Sequence, residues 1–376
     1  MAKMKSKPSI NIETQWKFPA VSIIIPMYNV EKYIGELLDS IYAQTFQDYE
    51  LIIVDDCSTD NSRQIVESYR EKFGTRLTLN KTQKNSGGPS EPSNIGINFS
   101  HGEYLLILDN DDAITPTALE ELYTLAKEYD ADVIACEKFY EIPDKYWNNA
   151  EIRNKIKPYS YKKTPFVTKP TLISDNLSER IMDCKKKSFI WNIWSKLIRR
   201  DFLVQSQIRF NKSMIQDMIF TCCLLFAAKK YVCVPNVVNY YRHIEDSLSH
   251  KQEMSQKDFV RYVQTLESGF NFLDKFLDEQ EFFKQNPKEK YLALEIFVYE
   301  ALYYLRKYYL KNPAHIFDKY LRQELNKGDN SALVAFLFNA ENVHRIALID
   351  AHLKLAQASK KIAELEAEIK RLKGEN

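Results

Sequence analysis

Glu103-Tyr-Leu-Leu-Ile-Leu-Asp-Asn-Asp-Asp112 runs four consecutive apolar residues, Leu105 to Leu108, straight into three carboxylates. An apolar run this short, without polar alternation, suits a strand buried on both faces, as in a parallel sheet. Ligands of open parallel sheets bind at the carboxyl ends of the strands. Asp109, Asp111 and Asp112 therefore fall where such a fold keeps its chemistry. Three acids this close repel one another unless protons or a cation sit among them. The stretch thus predicts a buried parallel strand and a positive occupant at its end.

The rhythm is repeated on either side. Residues 21–26 form a short apolar run closed by Pro26, with Met27-Tyr-Asn-Val30 as the exit loop. Residues 31–43 place Tyr33, Ile34, Leu37, Leu38 and Ile41 at helical spacing. Residues 50–56 again end an apolar strand in acids, Asp55 and Asp56. A helix over 60–73, capped by Thr59 or Asp60, a weaker strand at 76–80, a Gly- and Pro-containing loop at 84–92 and a short helix at 93–99 follow. Thr115-Pro116 opens a helix reaching about residue 129, and 132–137 reads as the next strand. Strands alternating with helices in this way predict an α/β fold with a doubly wound, mostly parallel sheet.

Beyond residue 139 the pattern changes. Residues 139–173 lose periodicity and read as an insertion or mobile surface segment on the acceptor side. Helical spacing returns over 174–210. A buried helix carrying Asp217 spans 214–228, and 231–235 is a short strand. The predicted organisation is a tail (1–18), an α/β domain (19–250), a separate aromatic-rich helical domain (251–344) and a coiled coil (345–376). In that last segment Leu348, Leu355, Ile362 and Ile369 occupy one heptad position, and Ala351, Ala358, Leu365 and Leu372 its partner. Lys361 would face Glu366, and Glu368 Lys373, across a parallel homodimer; one amphipathic helix packed on its own domain is the plainer alternative.

Lys plus Arg is 52 against 51 Asp plus Glu, a formal net charge of +1, so no global basic field draws the chain to nucleic acid. Six scattered cysteines without a Cys-x-x-Cys pair read as free thiols of a reducing compartment. The polar, basic start has no apolar core for a signal peptide, and the longest apolar run, 218–228, falls short of a membrane span. The expected location is cytoplasmic, with at most peripheral contact at the inner face of a membrane.

Two acid clusters at the ends of neighbouring strands suit Mg²⁺ or Mn²⁺, which take carboxylate and phosphate oxygens together. Any single Asp in such a loop has the plainer reading of a helix cap. Three stretches taken together, Val21-Ser-Ile-Ile-Ile-Pro-Met-Tyr-Asn29, Val54-Asp-Asp-Cys-Ser-Thr-Asp60 and Leu108-Asp-Asn-Asp-Asp112, resemble the signatures of family 2 inverting glycosyltransferases of the bacterial surface-polysaccharide type. The resemblance implies the nucleotide-sugar fold called GT-A, followed here by the helical domain and coiled coil. It implies that Tyr28 stacks on the base, usually uracil, that Asp56 bonds the base edge, and that Pro26 and Asn29 shape the pocket. Asn85 would lie in the loop closing on ribose or sugar, Asp109 would meet ribose or sugar, and Asn110 belongs to the same donor-binding set. Asp111 would hold the metal on the diphosphate, with Asp112 orienting its neighbours or facing the acceptor.

Three departures stand out: Cys57 and Ser93 where the family usually has Gly and Arg, and Gln216 where it has the first of two acids. The resemblance makes Asp217 the catalytic base, against the plainer reading of a helix cap or solvated face. Tyr240-Tyr-Arg-His-Ile-Glu-Asp-Ser-Leu-Ser249 resembles the closing motif, in which Arg242 or His243 could neutralise the diphosphate and His243 is a candidate metal ligand. Lys145, Arg153, Lys155, Lys157, Lys162, Lys163 and Lys169 face one acid, Glu151, across 145–169. That run is either a solvated face or a seat for an anionic polymer or glycan acceptor. The expected function is metal-dependent transfer from a nucleotide-diphosphate sugar, with UDP the expected nucleotide. The alternatives are an inactive nucleotide-sugar-binding scaffold and a sugar-phosphate nucleotidyltransferase, the latter lacking a Gly-rich phosphate loop near the first strand.

Overall fold

In the computed structural model, which describes residues 18–159, 167–186, 190–244 and 256–309, strands and helices alternate as the apolar spacing requires. Strands β1 (Val21–Met27) and β2 (Tyr49–Asp55) enclose helix α1 (Ile34–Tyr42). Helices α2 (Ser62–Ser68) and α3 (Arg70–Phe73) lead to β3 (Leu77–Lys81), and α4 (Ser90–Phe99) leads to β4 (Tyr104–Ile107). The expected single helix over 60–73 is thus two, broken at Tyr69. Every residue of β1 and β4 is buried, which is why their sequences do not alternate.

These four strands pair in parallel in the order β3-β2-β1-β4. The chain builds outward from β1 to β3, then returns to the other side of β1 to lay β4. Strand order reverses between β1 and β4, and a crevice opens there at their carboxyl ends. Pro26 lies past the last β1–β4 pair, Ile24 with Ile107. Its backbone faces the β4 side, so the missing N–H costs the ladder nothing.

The chain continues through β5 (Ala113–Ile114), α5 (Ala118–Glu128), β6 (Val133–Cys136), β7 (Tyr140–Pro143), α6 (Ala150–Arg153), β8 (Thr171–Leu172) and α7 (Leu177–Lys186). Then come β9 (Lys196–Arg199), α8 (Arg200–Gln205), α9 (Gln216–Ala227), β10 (Tyr231–Val234) and β11 (Asn239–His243). The main sheet has eight strands in the order β3-β2-β1-β4-β9-β6-β10-β8. It is mostly parallel, but β9 runs antiparallel between β4 and β6, and β8 antiparallel on the edge. Helical spacing over 174–210 conceals β9, which has only two aliphatic residues between Lys196 and Arg199, and Lys196 is itself fully buried.

Residues 140–159 are not the structureless insertion that the loss of periodicity suggests. β7 joins β5 and β11 in a second sheet, ordered β5-β11-β7. Trp147 is buried there against Ala113 and Ile142.

Helices α10 (Gln256–Glu279), α11 (Glu281–Gln285) and α12 (Pro287–Tyr309) close the described chain. Leu266, Phe270, Leu273 and Phe297 share one apolar core with Ile219 and Leu224 of α9 and with Ile24, Leu105 and Ile107 of the sheet. The contact of α10 with α9 is close: a Cβ added at Gly269 would lie 2.5 Å from Ile219 Cδ1. A continuous core therefore crosses the expected boundary at 250–251. The tail at 1–17, the rest of the helical stretch and the heptad segment 345–376 lie outside the described residues. Among the described residues no helix is long and apolar enough to cross a membrane. All six cysteines are free, and all but Cys57 are buried.

Candidate active site

The crevice is built from the ends of β1, β2 and β4. Tyr28 leaves β1 with its ring 45% exposed, available as a stacking surface. Asn29 follows in the left-handed region (φ 49°), which Asn tolerates better than most residues. Its Oδ1 accepts from Thr59 N (2.8 Å), and its own N–H donates to Ser58 Oγ (3.1 Å), tying the first exit loop to the second.

At the end of β2 the two acids divide. Asp55 is buried and accepts from Ser58 N (2.8 Å), with Arg63 Nη1 3.5 Å from its other oxygen. Asp56 is buried and accepts from Thr82 Oγ1 (2.8 Å), Ser86 N (3.0 Å) and Ser86 Oγ (2.9 Å). These bonds hold the 82–88 loop against β2, and Asn85 Nδ2 reinforces it on the Asp56 carbonyl (3.1 Å). Cys57 takes φ 64°. The left-handed turn that glycine would serve is therefore kept here by a side chain, whose thiol reaches the Thr82 carbonyl (3.4 Å).

The loop after β4 holds the three acids of the opening stretch. Asn110 Nδ2 donates to the Pro26 carbonyl (2.7 Å), fastening the loop to β1 across the switch point. Burial raises the Asp109 carboxyl well above its usual range, and Asp217 and Asp111 push it further. Burial does the same to Asp112, followed by Asp111 and Asp109. Asp111 is raised by burial, against the Arg242 guanidinium, which lowers it. Asp112 Oδ1 accepts from Arg242 N (2.8 Å), while its buried Oδ2 has no hydrogen-bond partner.

That orphaned oxygen, beside a crowded Asp111, fits a hard cation. Among the described residues no three His, Cys, Asp or Glu side chains converge as a ready-made cage. The donor set suits a metal that keeps most of its positions for phosphate and water.

Arg242 is 4% exposed, and its guanidinium is engaged within the protein. Nε donates to the Asp111 carbonyl (2.8 Å), Nη1 to Asp144 Oδ1 (2.9 Å) and Nη2 to Glu36. Its plane covers the Trp147 ring at 3.7 Å and the Tyr33 ring at 4.7 Å. His243 Nδ1 meets Glu141 Oε1 (2.7 Å), a carboxylate contact of the kind that fixes a histidine's tautomer whether it binds metal or not.

Asp217 stands in the first turn of α9, and its Oδ2 accepts from Ile193 N (3.3 Å). Burial pushes its carboxyl up to about 6, with that N–H and Lys196 holding it down. It raises Asp109 in turn, so the two sequence-separated acids share one locality. Gln216 beside it bonds Ser90 Oγ at the start of α4. Sequence reasoning passed over Lys196, Glu36 and Asp144. A lysine next to an aliphatic pair was a signal for the first; nothing local marks the other two.

The geometry has counterparts. The family model described as Glycosyl transferase family 2 matches residues 22–185. Over that stretch the chain is similar to the family. Among family relatives, the uncharacterized glycosyltransferase EpsJ of Bacillus subtilis is 28% identical over 233 residues, 61% of this chain and 63% of the relative. Poly(ribitol-phosphate) beta-N-acetylglucosaminyltransferase TarS of Staphylococcus aureus is 43% identical over 115 residues, 30% of this chain and 20% of the relative. The chain therefore spans less than two thirds of either relative's length. The crystal structure of S. aureus TarS 1–349 with UDP-GlcNAc superposes with a TM-score of 0.56 at 25% identity, covering 74% of this chain and 71% of that one. The same protein with UDP gives 0.53.

Proposed function

We propose that this chain is a metal-dependent inverting glycosyltransferase. It moves a sugar from a UDP-sugar to a hydroxyl of a polysaccharide or glycoconjugate. The observation that carries the reading is the acid loop after β4, at the point where strand order reverses, with Asp217 of α9 near enough to raise Asp109 and itself raised to about 6. A base poised near neutral pH, facing a donor-side acid, is what transfer to a hydroxyl needs. The similarity to TarS bound to UDP and to UDP-GlcNAc supports the donor class.

In this reading Tyr28, Asn29 and Asp56 hold the nucleoside end of the donor, with Asn85 and Asn110 keeping the surrounding loops in place. Asp109 orients the donor's ribose or sugar. Asp217, as carboxylate, takes the proton of the acceptor hydroxyl while that oxygen bonds to the anomeric carbon. The bond from that carbon to the diphosphate breaks on the opposite face, and UDP leaves with the electron pair. Asp111 and Asp112 would hold Mn²⁺ or Mg²⁺, which when bound neutralises the leaving diphosphate.

For the acceptor we infer an anionic polymer. Two relatives are poly(ribitol-phosphate) transferases, the second from Bacillus spizizenii. Lys145, Lys155 and Lys157 are exposed on the segment carrying β7 and α6, beside the sheet that holds Arg242. Reversing those three charges should raise acceptor KM at low salt and leave donor KM alone; an unchanged acceptor KM sinks the idea. The decisive test of the reaction is UDP release from a panel of UDP-sugars with Mn²⁺, for the unaltered protein and Asp217→Asn. The variant should lose about 10²–10⁴ in turnover and keep UDP binding. Retained turnover would remove Asp217 from the chemistry, and binding without turnover in the unaltered protein would favour a scaffold.

A further inference from the structure

β9 opens with a lysine that the transfer chemistry leaves unused. Lys196 is fully buried, and its ammonium meets three oxygens: the carbonyls of Ile190 (2.8 Å) and Asn192 (2.6 Å) and the hydroxyl of Ser195 (3.3 Å). An ammonium has three N–H donors, so the set is matched. All three acceptors belong to residues 190–195, which form a strap running over the start of α9. The strap carries the Ile193 N–H that donates to Asp217 Oδ2 (3.3 Å). It also carries the Trp191 carbonyl that accepts from Thr221 Oγ1 (2.8 Å), one turn further along α9. The lysine therefore fastens the element that aims a donor at the proposed base.

We propose that Lys196 is a positioning residue for transfer: its ammonium locks the 190–195 strap so that the Ile193 N–H is aimed at Asp217. The proposal rests on Asp217 being the base. The groups facing Asp217 are Asp109, from the loop after β4, and Lys196, from β9. Those facing Lys196 are Asp217 and the thiols of Cys233 on β10 and Cys136 on β6. Burial pulls the ammonium down to about 8, with Asp217 resisting, so the lysine is a cation at neutral pH. Without it the three strap acceptors lose their shared donor, and the Ile193 N–H that stabilises the Asp217 carboxylate is no longer held in place.

Lys196→Met keeps the side chain's length and removes its charge and donors. Ile193→Pro removes the N–H, and with it the buried isoleucine side chain, at the first position of the 3₁₀ turn Ile193–Ser195, after Asn192, which is already extended (φ −62°, ψ 130°) as proline requires of its neighbour. UDP release from UDP-N-acetylglucosamine or UDP-glucose, whichever turns over, is measured against pH with Mn²⁺. Both variants should lose about tenfold in kcat at pH 7 and hold donor KM within about twofold. The acidic limb of the profile should move up by about one pH unit. In an Asp217→Asn background neither substitution should alter the residual rate.

Profiles that superimpose on the unaltered protein's, or a loss confined to KM, overturn the lysine's role. Should Lys196→Met fail to fold, Ser195→Ala carries the comparison, because it removes one of the lysine's three acceptors; a smaller loss in kcat of the same kind is expected, and profiles that superimpose again overturn the role. Turnover retained by Asp217→Asn alone would overturn the base and this proposal together. Loss in Asp217→Asn with superimposed profiles overturns the lysine's role only.

Discussion

A carboxylate that must be ionised to act, in a place that resists ionisation, sets the pH behaviour at the residue scale. Asp217 is raised from 3.8 to about 6. As a base it works only when deprotonated, so kcat/KM should fall about tenfold per pH unit below that value. A rate profile flat from pH 5 to 8 would contradict the assignment. The same shift acts on stability with the opposite sense. The folded protein binds the proton more tightly than the unfolded chain, so this group's contribution is fully present below pH 3.8 and is lost as pH rises through about 6. The protein gives up stability at the pH where the base becomes useful. At this scale the sequence was legible where chemistry is written in short words: Asp55-Asp56 and Asp109-Asn-Asp-Asp112 end apolar runs, and those runs do end at the crevice. What it could not spell out was pairing. Asp56 also accepts from Thr82 and Ser86, and the Cys57 turn keeps a left-handed backbone despite its side chain.

Between elements, Arg242 is the joint. From β11 it reaches the Asp111 carbonyl after β4, Glu36 on α1, and Asp144 with Trp147 beyond β7. Its side-chain hydrogen-bond partners lie 98 to 206 residues away in sequence, so the resemblance that offered it to the diphosphate had no means of finding Glu36 or Asp144. Arg242 is buried but its carboxylate partners are partly exposed and screened by solvent, so Arg242→Met should cost about 1–2 kcal/mol in denaturant melts, chiefly from lost packing and hydrogen bonds. Arg242→Lys should recover little, because one ammonium cannot serve two carboxylates, a carbonyl and two rings. A variant as stable as the unaltered protein would show the joint to be incidental.

The loop that Arg242 braces presents one or two carboxylates and no cage, so Mn²⁺ should bind weakly alone and tightly with UDP. Calorimetric titration with and without UDP tests this, and tight binding to the free protein counts against it. β9 shows the same limit of local reading. It lay inside a stretch read as helical, and only the pairing with β4 and β6 identifies it.

At the scale of the molecule the question is where the folding unit ends. Composition suggested a boundary near residue 250, because the chain turns helical and aromatic there. Packing argues otherwise. Leu266, Phe270, Leu273 and Phe297 are buried against α9, and the same core continues to β1 and β4. Each fully buried aliphatic or aromatic side chain contributes about 1.5–3 kcal/mol, so uncovering α9 would exceed the margin by which domains of this size are stable. A chain ending at residue 250 should therefore fail to melt cooperatively and should bind a hydrophobic dye, whereas one ending at Tyr309 should keep a single transition. The longer truncation also isolates the heptad segment. With charges of 52 and 51 nearly cancelling, no net repulsion opposes self-association, and the Leu/Ile and Ala/Leu seam of 345–376 is what should drive it. Sedimentation should then find the full chain dimeric and the chain ending at Tyr309 monomeric. If the two sediment alike, the seam packs against its own chain and the catalytic unit owes nothing to a partner.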